Sequence, residues 1–219
     1  MEGAAKARRQ DYRGAIADFE RAIRLDPELA EAYYNRGLIL DLLGDPISAI
    51  ADYTEAININ PNIAAFYNNR GLSYSSQNNW QTAINDFTQA LLIDPESITA
   101  YYNRGIAYTN NGELELALED YDEAIARDVN FADAYINRGI VRTQLGAFDL
   151  ALEDYAEALL IDPTLPEARF NRALVYLEQR KVSEAIADLQ IAATLFLEQG
   201  DVARYEATLE LLLTLGIAR

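Results

Sequence analysis

The chain has 219 residues, half of them apolar, and its 35 acidic against 18 basic side chains give a formal net charge of −17 at pH 7. A field of that sign repels nucleic acid and anionic lipid and favours neutral or basic partners. The chain has no cysteine and no histidine, which excludes disulfides, thiolate chemistry, zinc-finger sites and catalytic triads that depend on histidine.

The chain divides into segments that share one helical pattern. Residues 1–29 match helix B of a truncated first segment, with Gly3, Ala15 and Phe19 in register. Four complete segments, a divergent fifth and a C-terminal capping helix are predicted to follow, at residues 30–63, 64–97, 98–131, 132–165, 166–199 and 200–219. Because the chain begins within a segment, we expect a piece of a longer protein, and a cytoplasmic and a periplasmic or lumenal location both stay open.

Each complete segment is predicted to hold two helices, A and B, because apolar residues follow helical spacing between two kinds of break. The first kind lies between segments, at Asp26-Pro27, Asn60-Pro61, Asp94-Pro95, Asp128-Val129 and Asp162-Pro163. Asp or Asn caps a helix start and Pro fits the first helical turn, so each pair is expected to close one helix pair and open the next. The second kind lies mid-segment, at Gly44-Asp45-Pro46, Asn78-Asn79, Asn111-Gly112, Gly146 and Arg180-Lys181.

One tripeptide, Asn-Arg-Gly, recurs at a spacing of 34 residues, starting at Asn35, Asn69, Asn103 and Asn137, and returns as Asn171-Arg172-Ala173. A fixed period of this size is typical of stacked repeats. Alanines and aromatic residues keep the same register on helix B. The pattern resembles the tetratricopeptide repeat family over nearly the whole chain. The resemblance implies an all-α fold, a right-handed superhelical solenoid of antiparallel helix pairs, and a protein-binding role.

The resemblance also implies that helix A lines a concave groove, and the asparagines then become candidate peptide-binding residues: Asn35, Asn69, Asn103, Asn137 and Asn171. An amide side chain offers donors and an acceptor, so it can pair with a peptide backbone of any sequence. The alternative is that each asparagine only bonds to its neighbouring repeat.

Three aromatic residues, Tyr34, Tyr102 and Phe170, precede an asparagine and are candidate apolar anchors for a partner. The alternative is that they pack against the next repeat. The groove is predicted to be neutral to acidic, with Asp41 contributing. The lysine with which some family members hold a chain-terminal carboxylate is absent at the position of Tyr34, so binding of an acidic C-terminal tail is not expected.

The arginine of each tripeptide is predicted to pair with an aspartate at fixed register on helix B, since the guanidinium fork suits a carboxylate. Arg104 and Asp120 are one such pair. Arg104→Ala should therefore destabilise the chain far more than Asn103→Ala. The glycine, with alanines on helix B, should let the two helices approach closely around an aromatic side chain.

The predicted function is a non-enzymatic module that binds an extended, neutral to basic peptide with apolar anchors, without a metal or cofactor. Two alternatives stay open: a structural protein that self-assembles as a homo-oligomer through open-ended stacking, and part of an enzyme whose catalytic segment lies outside this sequence. No apolar run approaches the ~18 residues of a membrane span. The repeats are also similar to those of tetratricopeptide proteins common in photosynthetic bacteria, which implies an assembly or scaffold role.

Overall fold

The computed structural model describes residues 11–216, which form twelve α-helices and no strand. Gly3, predicted to lie in register, falls outside the described residues. The first of two compact units ends at Glu113 and contains α1 Tyr12–Leu25, α2 Ala30–Leu42, α3 Pro46–Ile59, α4 Ala64–Ser76, α5 Trp80–Ile93 and α6 Ile98–Asn111. The second begins at Leu114 and contains α7 Leu114–Arg127, α8 Ala132–Gln144, α9 Phe148–Ile161, α10 Pro166–Glu178, α11 Val182–Glu198 and α12 Val202–Thr214.

Within each unit, every helix packs against the next one along the chain, and the predicted all-α fold of helix pairs is confirmed. The A helices are α2, α4 and α6 in the first unit, and α8 and α10 in the second. They also contact one another directly, α2 with α4, α4 with α6, and α8 with α10. The side chains of adjacent A helices therefore lie close enough to form a shared surface. The repeat boundaries themselves stay predictions.

The core of each unit combines small and aromatic residues in the predicted register. Two alanines are fully buried in each of the five B helices that follow α1, at Ala49 and Ala56, Ala83 and Ala90, Ala117 and Ala124, Ala151 and Ala158, and Ala185 and Ala192. Between them lies a fully or nearly fully buried larger side chain, Tyr53, Phe87, Tyr121, Tyr155 or Leu189. A methyl group keeps the distance between helices short, and the larger side chain fills the space that is left.

The glycine of the tripeptide lies against that aromatic ring. A Cβ atom added to Gly71 would lie 2.7 Å from Cε1 of Phe87, inside the contact distance of two carbon atoms. Gly37 faces Tyr53 and Gly139 faces Tyr155 in the same way. The fifth repeat has both partners changed. Buried Ala173 and Leu189 lie in one cluster there, and the smaller leucine leaves room for the methyl group.

The turns between helices A and B occur at the predicted mid-segment breaks. The backbone enters the left-handed region at Gly44, Asn78, Gly112, Gly146 and Arg180. The following residue then donates its N–H to a carbonyl in the last turn of helix A, as from Asp45 to Leu40 at 2.9 Å. This pattern is the Schellman motif, and it satisfies carbonyls that the helix end leaves unpaired.

The turns between helices B and A correct one prediction. Asp26 was expected to cap the start of the next helix, but it closes α1, and its Oδ1 accepts from the N–H of Glu28 at 3.1 Å. Pro27 lies in the turn, and α2 begins only at Ala30. The reason is that an aspartate side chain can bond to the backbone two residues on, which forms a turn before the helix starts.

A helix N-cap supplies a test that depends on pH. Asp45 precedes α3 and accepts from the N–H of Ser48 at 3.1 Å. Hydrogen bonds from Ser48, first from its side chain and then from its backbone, hold the pKa of Asp45 below its ordinary value. A depressed folded-state pKa gives stabilisation that is present above the unfolded-state pKa and lost as pH falls through the folded-state pKa.

We therefore expect Asp45→Ala to have a lower Tm than the wild type at neutral pH. The difference in Tm between the two proteins should become smaller at about pH 3. Thermal melts followed by circular dichroism at the two pH values measure this difference. Asp45→Asn is the control, because it keeps a neutral capping oxygen without a titratable group. A difference between Asp45→Ala and wild type that is the same at both pH values would contradict the capping role of the carboxylate.

Candidate functional site

The candidate residues lie on the A helices and all are half-buried. In the first unit, α2 carries Tyr34 and Asn35, α4 carries Asn69, and α6 carries Tyr102 and Asn103. In the second unit, α8 carries Asn137, and α10 carries Phe170 and Asn171. The structure thus places them in two sets, and each set lies on adjacent helices that touch.

Two of the asparagines join neighbouring A helices. Nδ2 of Asn69 donates to the Tyr34 hydroxyl at 2.8 Å and to the Ala65 carbonyl at 3.0 Å. Nδ2 of Asn103 donates to Oδ1 of Asn68 at 3.2 Å. These bonds join neighbouring repeats, which was the alternative interpretation of the asparagines. Among the described residues, however, no donor reaches Oδ1 of Asn69 or of Asn103, so each keeps one acceptor for another molecule.

The asparagines at the two ends of the series differ from this pattern. Nδ2 of Asn35 donates to the carbonyl of Glu31, one turn earlier in the same helix, at 2.6 Å. Asn171 makes no side-chain hydrogen bond within residues 11–216. The position that Tyr34 and Asn68 occupy in their repeats is Ile136 in the repeat before Asn171. An isoleucine has no acceptor, so this interhelical bond cannot form there.

The aromatic candidates also pack within the fold. The ring of Tyr34 lies 4.8 Å from that of Phe66, in the next repeat, and 5.8 Å from that of Tyr53. Burial raises the pKa of Tyr34, and the hydrogen bond from Asn69 opposes the shift. Phe170 makes an edge contact with Phe196 at 6.3 Å. Since both side chains are only half-buried, each still has a face open to solvent.

Exposed leucines on the A helices were missed as apolar anchors. Leu38 is 37%, Leu72 is 41% and Leu174 is 37% exposed. Each lies three positions after a tripeptide asparagine, on the same helix. That recurrence was the available signal, because an aliphatic residue with fixed spacing from a polar surface residue shares its helix face.

A concavity of about 530 Å³ opens between α2 and α4 in the first unit. Its lining includes Leu38, Leu72, Asp41, Ser73 and Asn69. Oδ2 of Asp41 accepts from the Ser73 hydroxyl at 2.7 Å and from the Tyr53 hydroxyl at 2.8 Å. Burial raises the pKa of Tyr53, and the hydrogen bond to Asp41 raises it further, so the phenol stays protonated and donates. The concavity therefore combines an aliphatic wall with a carboxylate.

The predicted arginine–aspartate pairs are confirmed for four repeats, Arg36 with Asp52, Arg70 with Asp86, Arg138 with Asp154 and Arg172 with Asp188. The pairing of Arg104 with Asp120 stays a prediction. Nε and Nη2 of Arg70 each donate to a carboxylate oxygen of Asp86 at 2.8 Å. The hydrogen bond that Arg70 donates to Asp86 is the largest of the effects that raise the pKa of Arg70. In all four pairs the aspartate occupies the Nε and Nη2 edge of the guanidinium group.

Two further observations limit the chemistry of the described part of the chain. Between residues 11 and 216, no group of three or more carboxylates is arranged to hold a metal ion. None of the helices in that range combines the length and the apolar character needed to cross a bilayer. The surface that remains is formed by amide, aliphatic, aromatic and carboxylate groups on the A helices.

Protein-family models match most of the chain. A model described as TPR repeat matches residues 3–44, 71–112 and 139–180. A model described as tetratricopeptide repeat matches residues 30–63 and 98–131, and a second model of that description matches 52–85. A search of curated protein sequences found no significant match.

Several solved structures are similar to the chain. MamA is 26% identical with a TM-score of 0.70, over 75% of this chain and 96% of its own. YrrB, described as a TPR protein with an unusual peptide-binding site, is 24% identical with a TM-score of 0.68, over 81% of this chain and 91% of its own. A tetratricopeptide repeat protein from Parabacteroides merdae is 20% identical with a TM-score of 0.77, over 100% and 92%. The last two share the fold with this chain.

Proposed function

Because the chain belongs to the tetratricopeptide repeat family, whose members bind other proteins or peptides, we propose that its A helices bind an extended segment of a partner protein. The partner segment is neutral or basic and carries apolar side chains. The role is that of an assembly or scaffold factor, without catalysis. Support for peptide binding also comes from the similar YrrB structure, which is described as having a peptide-binding site.

One observation carries this proposal: unused amide acceptors lie beside exposed leucines. Asn69 and Asn103 each donate from Nδ2 to acceptors within the first unit, and their Oδ1 atoms have no donor among the described residues. An extended peptide presents backbone N–H groups that suit such acceptors. Leu38 and Leu72 would contact its apolar side chains. Backbone recognition with apolar anchors accommodates many sequences, as expected for an assembly factor.

The test is a selection of binders from a displayed library of random decapeptides, followed by affinity measurements on the recovered peptides. Asn69→Ala/Asn103→Ala should bind them roughly 30-fold more weakly, since two hydrogen bonds of about 1 kcal/mol each are lost. The matched control is Asn58→Ala/Asn85→Ala, which removes two exposed asparagines from the B helices α3 and α5. Melting curves check that both double variants are folded at the assay temperature.

Equal affinity of both double variants for every recovered peptide would show that the asparagines are not the binding residues. Light scattering gives the apparent molar mass at each protein concentration. If no peptide is recovered while this mass grows with protein concentration, the peptide-binding proposal is wrong and self-assembly takes its place.

A further inference from the structure

Two departures from the repeat pattern meet in the concavity of the first unit. The position of Asp41 holds Ser75, Thr109, Thr143 and Leu177 in the other repeats. The position of Ser73 holds Ile39, Ala107, Val141 and Val175. A carboxylate therefore replaces a neutral residue in one repeat, and a hydroxyl replaces an apolar residue in the next. The 2.7 Å hydrogen bond from Ser73 to Asp41 joins the two changes.

The carboxylate of Asp41 has no cationic partner among residues 11–216. The helix B aspartates differ, because each of Asp52, Asp86, Asp154 and Asp188 pairs with an arginine. Both donors to Asp41, the hydroxyls of Tyr53 and Ser73, reach Oδ2, and no donor within the described chain reaches Oδ1. Oδ1 is therefore available to a donor that enters the concavity, and a cationic donor would form a charge-assisted hydrogen bond with it.

The walls around this charge suit a long side chain with a charged end. Leu38 and Leu72 are partly exposed, and Pro46 adds a third apolar surface. Asn69 lines the same concavity. Its Oδ1 has two lone pairs, so it can accept from a charged end as well as from the peptide backbone. Basic side chains bury an aliphatic stem against apolar groups and keep several donors at the tip. The net charge of −17 attracts such groups from solution.

We propose that this concavity is a specificity pocket for a lysine or arginine side chain of the bound segment. The stem lies between Leu38 and Leu72, and the charged end pairs with Oδ1 of Asp41. The proposal rests on the proposed function for the source of the basic side chain, namely a peptide. It adds that the first unit selects for a basic residue at one position of that peptide.

The first test uses small probes instead of a peptide. The full chain is titrated with n-butylguanidinium and n-butylammonium chloride, and backbone amide shifts are followed by NMR. We expect saturable shifts at Leu38, Leu72 and Ser73 with both cations, and none with neutral n-butylurea. Saturation by the urea equal to that by the cations, or the absence of any saturable shift at these residues, would overturn the proposal.

Asp41→Asn is the decisive variant, because an amide oxygen in place of Oδ2 still accepts from Tyr53 and Ser73 while the charge is removed. We expect it to bind n-butylguanidinium at least about tenfold more weakly, since an ion pair is lost. Glu55→Gln is the control, since it removes one exposed charge of α3 outside the concavity. Unchanged affinity of Asp41→Asn, or an equal loss in Glu55→Gln, would mean that the pocket does not recognise the cation.

Peptides from the library selection separate this proposal from the proposed function. Replacing a basic residue of a binder by citrulline or norleucine should weaken binding to the wild type about tenfold, and hardly affect binding to Asp41→Asn. The pocket proposal would be overturned by peptides whose binding depends on the asparagines but whose basic residue matters equally to the wild type and to Asp41→Asn. The proposed function would then still stand. Cation binding at Asp41 with no peptide recovered would show that the concavity binds a basic group, but it would overturn the proposed function and with it the peptide as the source of that group.

Discussion

Arg70→Ala is expected to lower the free energy of unfolding by about 3 kcal/mol, because it leaves the buried Asp86 carboxylate without its partner. Asp86 accepts two hydrogen bonds from Arg70, and its side chain is almost completely buried. Arg70 also donates to Oγ1 of Thr54 on the preceding B helix at 3.0 Å, so its loss loosens the contact between neighbouring repeats as well. Chemical denaturation followed by circular dichroism measures the loss.

Asn69→Ala is the matched comparison for this substitution. It removes an adjacent polar side chain that makes neutral hydrogen bonds, and about 1 kcal/mol should be lost. Arg70→Met/Asp86→Leu removes both charges and should recover most of the stability lost in Arg70→Ala, since no unpaired carboxylate remains. Similar losses for Arg70→Ala and Asn69→Ala would disprove the division into a structural arginine and a binding asparagine.

Gly71→Ala is expected to destabilise the chain by about 2 kcal/mol. The added Cβ would lie 2.7 Å from a ring carbon of Phe87, which is fully buried and cannot move aside. Overpacking of this kind costs about 3 kcal/mol at the upper end of its range, whereas the higher helix propensity of alanine returns about 1 kcal/mol. The clash therefore outweighs the gain.

The fifth repeat suggests the compensating change for this variant. Ala173 is tolerated there beside Leu189, and both are fully buried. Gly71→Ala/Phe87→Leu should consequently be more stable than the sum of the two single losses implies, by about 1 kcal/mol or more. Additive losses in a double-mutant cycle would show that the ring contact is not what requires glycine at this position.

The sequence predicted those contacts that repeat with the period. Arginine and aspartate, like glycine and the aromatic ring, lie at fixed register within one repeat, so every copy shows the same pair. The partners of the asparagine were not visible in this way. Asn69 bonds to Tyr34 and Asn103 to Asn68, each 35 positions earlier and different in chemistry. A contact between neighbouring repeats whose partner varies leaves no periodic signal.

The turn between repeats was misassigned for another reason. An aspartate can cap the helix that follows it or form a turn after the helix that precedes it, and both uses favour a proline next to it. Only the backbone shows that Asp26 closes α1 and that α2 starts at Ala30. The bond between Asp41 and Ser73 was equally hidden, since it spans 32 positions and occurs where both residues depart from the pattern.

The contacts between neighbouring repeats of the first unit also bear on how a binding preference could arise in a repeat protein. Each helix there packs chiefly against helices that are next or next but one along the chain. The stability of such a repeat protein is approximately a sum of contributions from single repeats and from the interfaces between neighbours. The pairing of Asp41 with Ser73 belongs to such an interface and not to either repeat alone. Duplicating one repeat would reproduce its helices without reproducing this carboxylate environment. The proposed pocket would therefore depend on which two repeats are neighbours, and not on the sequence of either repeat alone.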